Sequence, residues 1–327
     1  MQVISRGTTV SATSAEQLVF FGVSGGWLTD VFALEFQIWR GAAQVFPATI
    51  GQRQSVDIVN DRLGKGRYAA SWLVPSDATT GAYEVRWFYQ LTSGGPELRA
   101  TTRFEVVTTP TAGTFYAGPS DLAAEGADIA EARALEVLAL AGEMLERFTR
   151  TFFEPRYMVL DVDGRGGSVL HLRHPVSALE RVAAPDEVSA SSIAVYNRHL
   201  RGEPLDARNP KLERKSGRWP KGPLAVSLTG VFGSLVPGAP WGDPHPLARR
   251  AVMMIAIREA ALLASPERED AVTRHRILSE STRDQSYTRS GPGAASGQGA
   301  GPAYFTGDPE IDQIIVALRG PIHVAGV

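Results

Sequence analysis

The hydrophobic period of this chain changes once, near residue 110, and no fold built from one kind of element satisfies both halves. Up to about residue 108 apolar residues recur at every second position. Phe32, Leu34, Phe36 and Ile38 do so, as do Tyr68, Ala70 and Trp72, then Tyr83, Val85 and Trp87, then Phe104 and Val106. That alternation places each set on one face of a strand. Turn residues separate the runs at Leu63-Gly64-Lys65-Gly66, Pro75-Ser76-Asp77, Thr80-Gly81 and Ser93-Gly94-Gly95-Pro96. The pattern predicts an all-β sandwich over residues 1–108. Past it, Ala134, Val137, Leu138, Ala141, Leu145, Phe148 and Phe152 follow three- and four-residue steps. This is the stripe of an amphipathic helix that starts near Asp128 and stops at Pro155.

With 327 residues, two or more domains are expected. Residues 109–119, rich in Thr, Gly and Pro, read as a linker at which the two parts should separate. Residues 120–285 carry the helix, then a β section (157–161, 168–172, 178–182, 193–196 and 224–232), then a second helix opened by Pro246. Ala248, Ala251, Val252, Ile255 and Leu262 mark its buried side. Ser265-Pro266-Glu267 has the signals of one more helix start. In residues 286–327, a Gly/Ala/Ser stretch at 290–303 reads as a flexible tether. It leads to a short helix capped by Asp308, with Ile311, Ile314, Ile315 and Leu318 in one stripe. Such a stripe must dock on something, either its own domain or a neighbour.

Charge bears on partners. Lys+Arg 33 against Asp+Glu 35 leaves a formal net charge of -2, so no dedicated nucleic-acid binder is expected. The absence of cysteine excludes disulfides and thiolate metal sites. No apolar run approaches the roughly 20 residues needed to span a bilayer. Residues 1–13 show no basic segment leading into an apolar core, so neither signal peptide nor membrane partner is expected.

The search for chemistry gives no catalytic, metal or cofactor assignment. Gly22-Val23-Ser24-Gly25-Gly26 matches the G-x-S-x-G elbow, but an elbow needs a helix after its serine, and here the next residues alternate as a strand. A glycine-rich turn is the better reading. His171, His174, His199, His245, His275 and His323 form no ligand set with metal spacing. Asp161-Val162-Asp163-Gly164 lacks the further oxygens of a calcium loop and suits a hairpin turn. The basic run includes Arg208, Lys211, Arg214, Lys215, Arg218 and Lys221. Two readings stay open for it: a solvated loop, or an arm touching an acidic neighbour or passing DNA.

Four strings resemble the head–tail connector (adaptor) proteins of tailed phages. Residues 141–156, AGEMLERFTRTFFEPR, are similar to their first long helix and its exit. Residues 217–233, with Thr229-Gly230-Val231-Phe232-Gly233, resemble a strand running into their "TGxFG" corner. The helix from Pro246 and the string from Gly307 to Asp312 follow in the same order. The resemblance spans about 120–320 and implies an α+β connector domain with a helical bundle and β-hairpins. It implies a virion structural protein assembled in the host cytoplasm and placed in the neck. There it would form a homo-oligomeric ring, usually a dodecamer, between the portal protein and a tail-side stopper or terminator, with genomic DNA passing through. Inter-subunit or portal docking would then fall to Ile311, Ile314, Ile315 and Leu318. The N-terminal sandwich resembles an immunoglobulin-like or macroglobulin-like module in its Gly66-Arg67-Tyr68, Trp72, Gly81-Ala82-Tyr83-Glu84-Val85 and Arg103-Phe104-Glu105-Val106 strings. The alternative is a carbohydrate- or surface-binding module, whose aromatic platform would come from Trp27, Trp39, Trp72 and Trp87.

Overall fold

A computed structural model describes residues 2–14, 16–109, 115–196, 210–233, 244–264, 279–281, 286–288, 306 and 308–319. The first part is β, as its alternation requires. Its strands are β1 (Gln2–Ser5), β2 (Thr9–Val10), β3 (Leu18–Phe21), β4 (Val23–Ser24), β5 (Trp27–Leu28), β6 (Ala33–Arg40) and β7 (Ala43–Phe46). They continue as β8 (Gln54–Ser55), β9 (Arg62–Gly64), β10 (Arg67–Ala70), β11 (Trp72–Leu73), β12 (Gly81–Gln90) and β13 (Leu98–Val107). One sheet runs β1-β13-β12-β6-β7 with β8 added on β6; a second runs β3-β10-β9, and β2 pairs with β11. Leu34, Phe36 and Ile38 of β6 and Tyr83, Val85 and Trp87 of β12 share one buried core with Leu18, Phe20 and Tyr68 of the second sheet. The Trp87 indole N–H donates to Thr102 Oγ1 at 3.0 Å, so the largest core side chain buries no orphan donor. Phe32 departs from the expected face. It precedes β6 and is 52% exposed.

The glycine string at residues 22–26 is the glycine-rich turn expected of it, not a nucleophile elbow. Val23–Ser24 and Trp27–Leu28 form a hairpin whose two-residue turn puts Gly25 at φ +59° and Gly26 at φ +82°. That conformation is the glycine-favouring hairpin turn. Gly22 lies so close to the Thr29 carbonyl that a Cβ would sit 2.4 Å from it. The hairpin leaves the sandwich and joins the sheet of the second part.

That second part begins with α1 (Pro119–Ala124) and α2 (Glu131–Thr149). Next come β14 (Arg156–Arg165), β15 (Val169–His171), β16 (Val176–Ala183), β17 (Ile193–Tyr196), β18 (Lys211–Arg214) and β19 (Lys221–Phe232). Then follow α3 (Pro246–Ala264), a small antiparallel pair, β20 (Ser279–Ser281) with β21 (Ser286–Thr288), and α4 (Pro309–Leu318). A sheet of order β14-β19-β16-β5-β4 incorporates the sandwich's hairpin, and β15-β18-β17 forms a smaller one. Two glycines explain the corner at the end of β19. A Cβ on Gly230 would lie 2.3 Å from the Ala178 carbonyl oxygen, and one on Gly233 would lie 2.3 Å from that of Glu154. The neighbouring strand and the chain leaving α2 need that space.

The expected helical bundle is corrected. Strand outweighs helix at 40% to 22%, in several sheets, and no bundle forms among the described residues. The helices instead share one core beside the sheets, to which α1, α2, α3 and α4 all contribute. Ala134, Leu138, Ala141 and Leu145 of α2 meet Ala248, Val252 and Ile255 of α3 in one core. Leu140, on the other side of α2, stays 42% exposed. The helix start expected at 265–267 and the tether at 290–303 lie outside the described residues. α2 also ends earlier than Pro155 suggests, at Arg150, whose φ of +57° is a left-handed cap. Phe152 then turns into the β core while Phe153 stays with the helices. Leu145 is fully buried. Leu145→Ala should therefore cost about 2–5 kcal/mol in a urea melt.

Candidate functional site

Three places carry the residues that the sequence marks out. The first is α4. Asp308 caps it by accepting from the Glu310 and Ile311 amides. Ile311, Ile314, Ile315 and Leu318 point into the core shared by α2 and α3, with exposures of 1, 9, 0 and 8%. The stripe is satisfied within the chain and presents no apolar docking face. The physical reason is complementarity close at hand: α3 offers an apolar side that α2 alone does not cover.

The second place is the basic run. Arg208 lies outside the described residues. Lys211 and Arg214 belong to β18, the middle strand of its sheet, and both are half-buried. Arg214 donates to the Arg218 carbonyl at 2.8 Å and its guanidinium lies 5.4 Å from the Trp219 ring centre. Lys215 donates to the Ser191 carbonyl at 2.8 Å. Trp219 is buried, and its indole N–H donates to the Ser168 carbonyl, fastening the 214–221 loop to the 165–168 loop. Lys215, Arg218 and Lys221 remain exposed. Arg165, also exposed, sits directly opposite Lys221 in the β14–β19 register. Like charges in that position destabilise a strand pair. Arg165 and Lys221 thus sit together at one end of the β14–β19 ribbon, with Lys215 and Arg218 in the loop that precedes β19, and Arg165 is one that the sequence run did not include.

The third place was not legible. Asp121, at 4% exposure, gathers three elements: its carboxylate accepts from Arg103 of β13 at 2.6 Å, from Arg249 of α3, and from the Gly118 amide at 2.9 Å. Beside it the Glu105 carboxylate, 1% exposed, accepts from the Ser120 amide and hydroxyl at 2.9 and 2.8 Å. Burial pushes the Glu105 carboxyl up; the bonds from Ser120 pull it down, and the Asp121 charge raises it further. Arg103 and Asp121 open onto a cleft of about 840 Å³, walled by Met253, Met254 and Ile257 of α3 and rimmed by Glu125, Arg250 and Glu310. Only the acid near the start of α1 hinted at this cluster. Its arginines come from positions whose meeting depends on the tertiary fold.

No family model matches this sequence and no curated protein does. Among solved structures, a chain described as "Neck of empty GTA particle computed with C6 symmetry" is similar at 18% identity and a TM-score of 0.37. The alignment covers 67% of this chain and 96% of that one. A superposition so loose assigns no element and no role.

The remaining candidates resolve locally. Ser24 is exposed on its two-residue strand, with a hairpin turn where an elbow would need a helix. Trp72 and Trp87 are core, and Trp39 lies under the Arg86 guanidinium at 3.9 Å. Trp27 packs on the second β core. No shared platform arises from these four. Among the described residues no three His, Asp or Glu side chains come together as a metal site. Asp163 belongs to β14 and accepts from the Leu224 amide at 2.8 Å, so Asp163-Gly164 is a bulge partner and not the hairpin turn. His174 packs against Phe152, ring centres 4.6 Å apart. Burial lowers its pKa to about 4, helped by the charges of Arg173 and Arg156. An unfolded imidazole titrates near 6.5. As pH falls from 6.5 towards 4 the unfolded chain takes up a proton that the folded chain does not, so stability falls through that window. Thermal melts of His174→Gln should lack the part of this loss due to His174, on the order of 1–2 kcal/mol.

Proposed function

We propose that this chain is a structural subunit of the neck of a phage-like particle, a ring-forming head–tail connector that binds beneath the portal. The observation that carries the reading is the fate of the four connector-like strings. Separated along the sequence, they become α2 with its exit, the β19 corner, α3 and the start of α4, and they fold against one another. α2, α3 and α4 share one core, and the β19 corner is held by the chain that leaves α2. The chain's mechanism is then shape and interface, with no turnover, and its neighbours are the portal, further copies in a ring, and a tail-side stopper or terminator.

The N-terminal part is proposed as an immunoglobulin-like module riding on that body. In support, its strands run β13-β12-β6-β7 in one sheet and β3-β10-β9 in the other, the arrangement of the GFCC′ and BED strands. The cation cluster Arg165, Lys215, Arg218 and Lys221 suits sliding contact with phosphates, which relieves the Arg165–Lys221 repulsion without reading bases. Lys215→Gln with Arg218→Gln should lower the slope of log K against log salt for duplex DNA by roughly 2. An unchanged slope would remove DNA from this surface. The function itself is tested on whole particles: gold label against this chain should sit at the head–tail junction. Label on the capsid faces or tail tip would overturn the assignment.

A further inference from the structure

Arg67 is held in one place by its surroundings and faces no acid. It stands on β10, half-buried where the sandwich meets the second part, and its guanidinium lies 3.4 Å from the centre of the Tyr157 ring of β14. The Tyr157 hydroxyl donates to Glu180 at 2.8 Å, which fixes the ring. Gly64 is directly opposite Arg67 in the β9–β10 register, and a Cβ there would sit 2.5 Å from Nη2, so the position is bare where the guanidinium passes. Nη2 donates to the Leu63 carbonyl at 3.2 Å. Nε is buried without a hydrogen-bond partner, and among the described residues no carboxylate lies within ion-pairing distance of the group. A charge withdrawn from water and left without a counter-ion costs stability.

We propose that Arg67 anchors a binding site for a small oxyanion, a phosphate or the carboxylate of a short acid, in the crevice between the two parts of the chain. The crevice encloses about 360 Å³, at the small end of the range for ligand sites. Gln2 and Thr102 line it from the sandwich, Pro155 and Tyr157 from the second part. Two further charges reach it, and each is already matched. Arg103 pairs with the buried Asp121 at 2.6 Å, and Glu154 with Arg156 at 3.0 Å. That leaves Arg67, among the described residues lining the crevice, as the charge without a partner. A guanidinium lying over a ring keeps its edge for hydrogen bonding, and that edge offers the paired N–H groups an oxyanion takes together. The Gln2 amide can add a donor. Thr102 Oγ1 already accepts from the Trp87 indole, so its own O–H is left to give. An anion there touches both parts and braces their junction. The site stands independently of the ring reading.

The test melts the full-length chain at one ionic strength in potassium chloride, phosphate or succinate. At a roughly tenfold excess over its dissociation constant, the bound anion should raise the melting temperature by about 2 °C relative to chloride. A rise in phosphate assigns a phosphate-type ligand and a rise in succinate a carboxylate; either supports the site. Arg67→Gln should lose the response, whatever its own melting temperature. No rise with either anion overturns the proposal, and so does an equal rise in Arg67→Gln. If Arg67→Gln does not fold, wild-type crystals soaked in selenate and in succinate decide instead. Anion density against the Arg67 guanidinium supports the site, and a crevice empty in both soaks overturns it.

Discussion

Ile314→Asp combined with Ile315→Asp is expected to unfold the helical layer, giving an insoluble product or one with no cooperative melt. Both side chains lie in the core between α4 and its neighbours, at 9 and 0% exposure. Each substitution removes most of a large apolar side chain and places a carboxylate where no cation waits for it. The cavity term and the buried polar group together cost more than about 5 kcal/mol, comparable with the whole stability of an ordinary domain. Val316→Asp on the same helix is the control. Val316 is 53% exposed, and its substitution should change stability by less than about 0.5 kcal/mol. If the double variant melts normally and only an intermolecular contact is lost, α4 does not pack on its own chain.

A chain beginning at Pro119 is expected to fail to fold, although the linker composition suggests a clean cut. Such a cut removes Val107, Phe115, Tyr116 and Ala117, all buried in the same core as α2 and α3. The Tyr116 hydroxyl donates to Glu146 at 2.6 Å and accepts from the Phe153 amide at 3.2 Å, so its loss orphans buried groups as well. Losing one large buried aromatic costs about 3–5 kcal/mol, and two leave together here. The cut also takes Arg103 from Asp121, Glu105 from Ser120, and β5 from the edge of β16. Circular dichroism should show little helix and no cooperative transition. A soluble fragment with a sharp melt would mean that the sandwich contributes little to the second core.

The legible parts of this fold were those with a local cause. Alternation at Leu34, Phe36 and Ile38 located β6, and the steps from Ala134 to Leu145 located α2, because each pattern reports which side of its own element is dry. Pro246 and Asp308 marked two helix starts through backbone chemistry that acts within one turn. What escaped was set by residues far apart in sequence. Nothing in the sequence around them says that Phe115, Tyr116 and Ala117 are buried, and nothing near Arg249 points to Asp121. The string at residues 22–26 showed its glycines but not their destination, since Gly22 is required by the Thr29 carbonyl and the hairpin by a strand that begins at Val176. The stripe of α4 was read correctly as apolar; only its partner was beyond reach, because α3 presents the matching face after the chain has folded back. The same holds for Arg165, which joins the basic end only through its register with Lys221.

The claim that this chain is a ring-forming neck subunit is tested most directly by electron microscopy of the purified full-length protein, alone and mixed with tail-less, portal-bearing heads. Class averages should show closed rings of fixed rotational symmetry and wide enough to pass duplex DNA. In the mixture, these rings should cap the portal vertex and no other. Particles that remain single chains, with heads left bare at the portal, would contradict it.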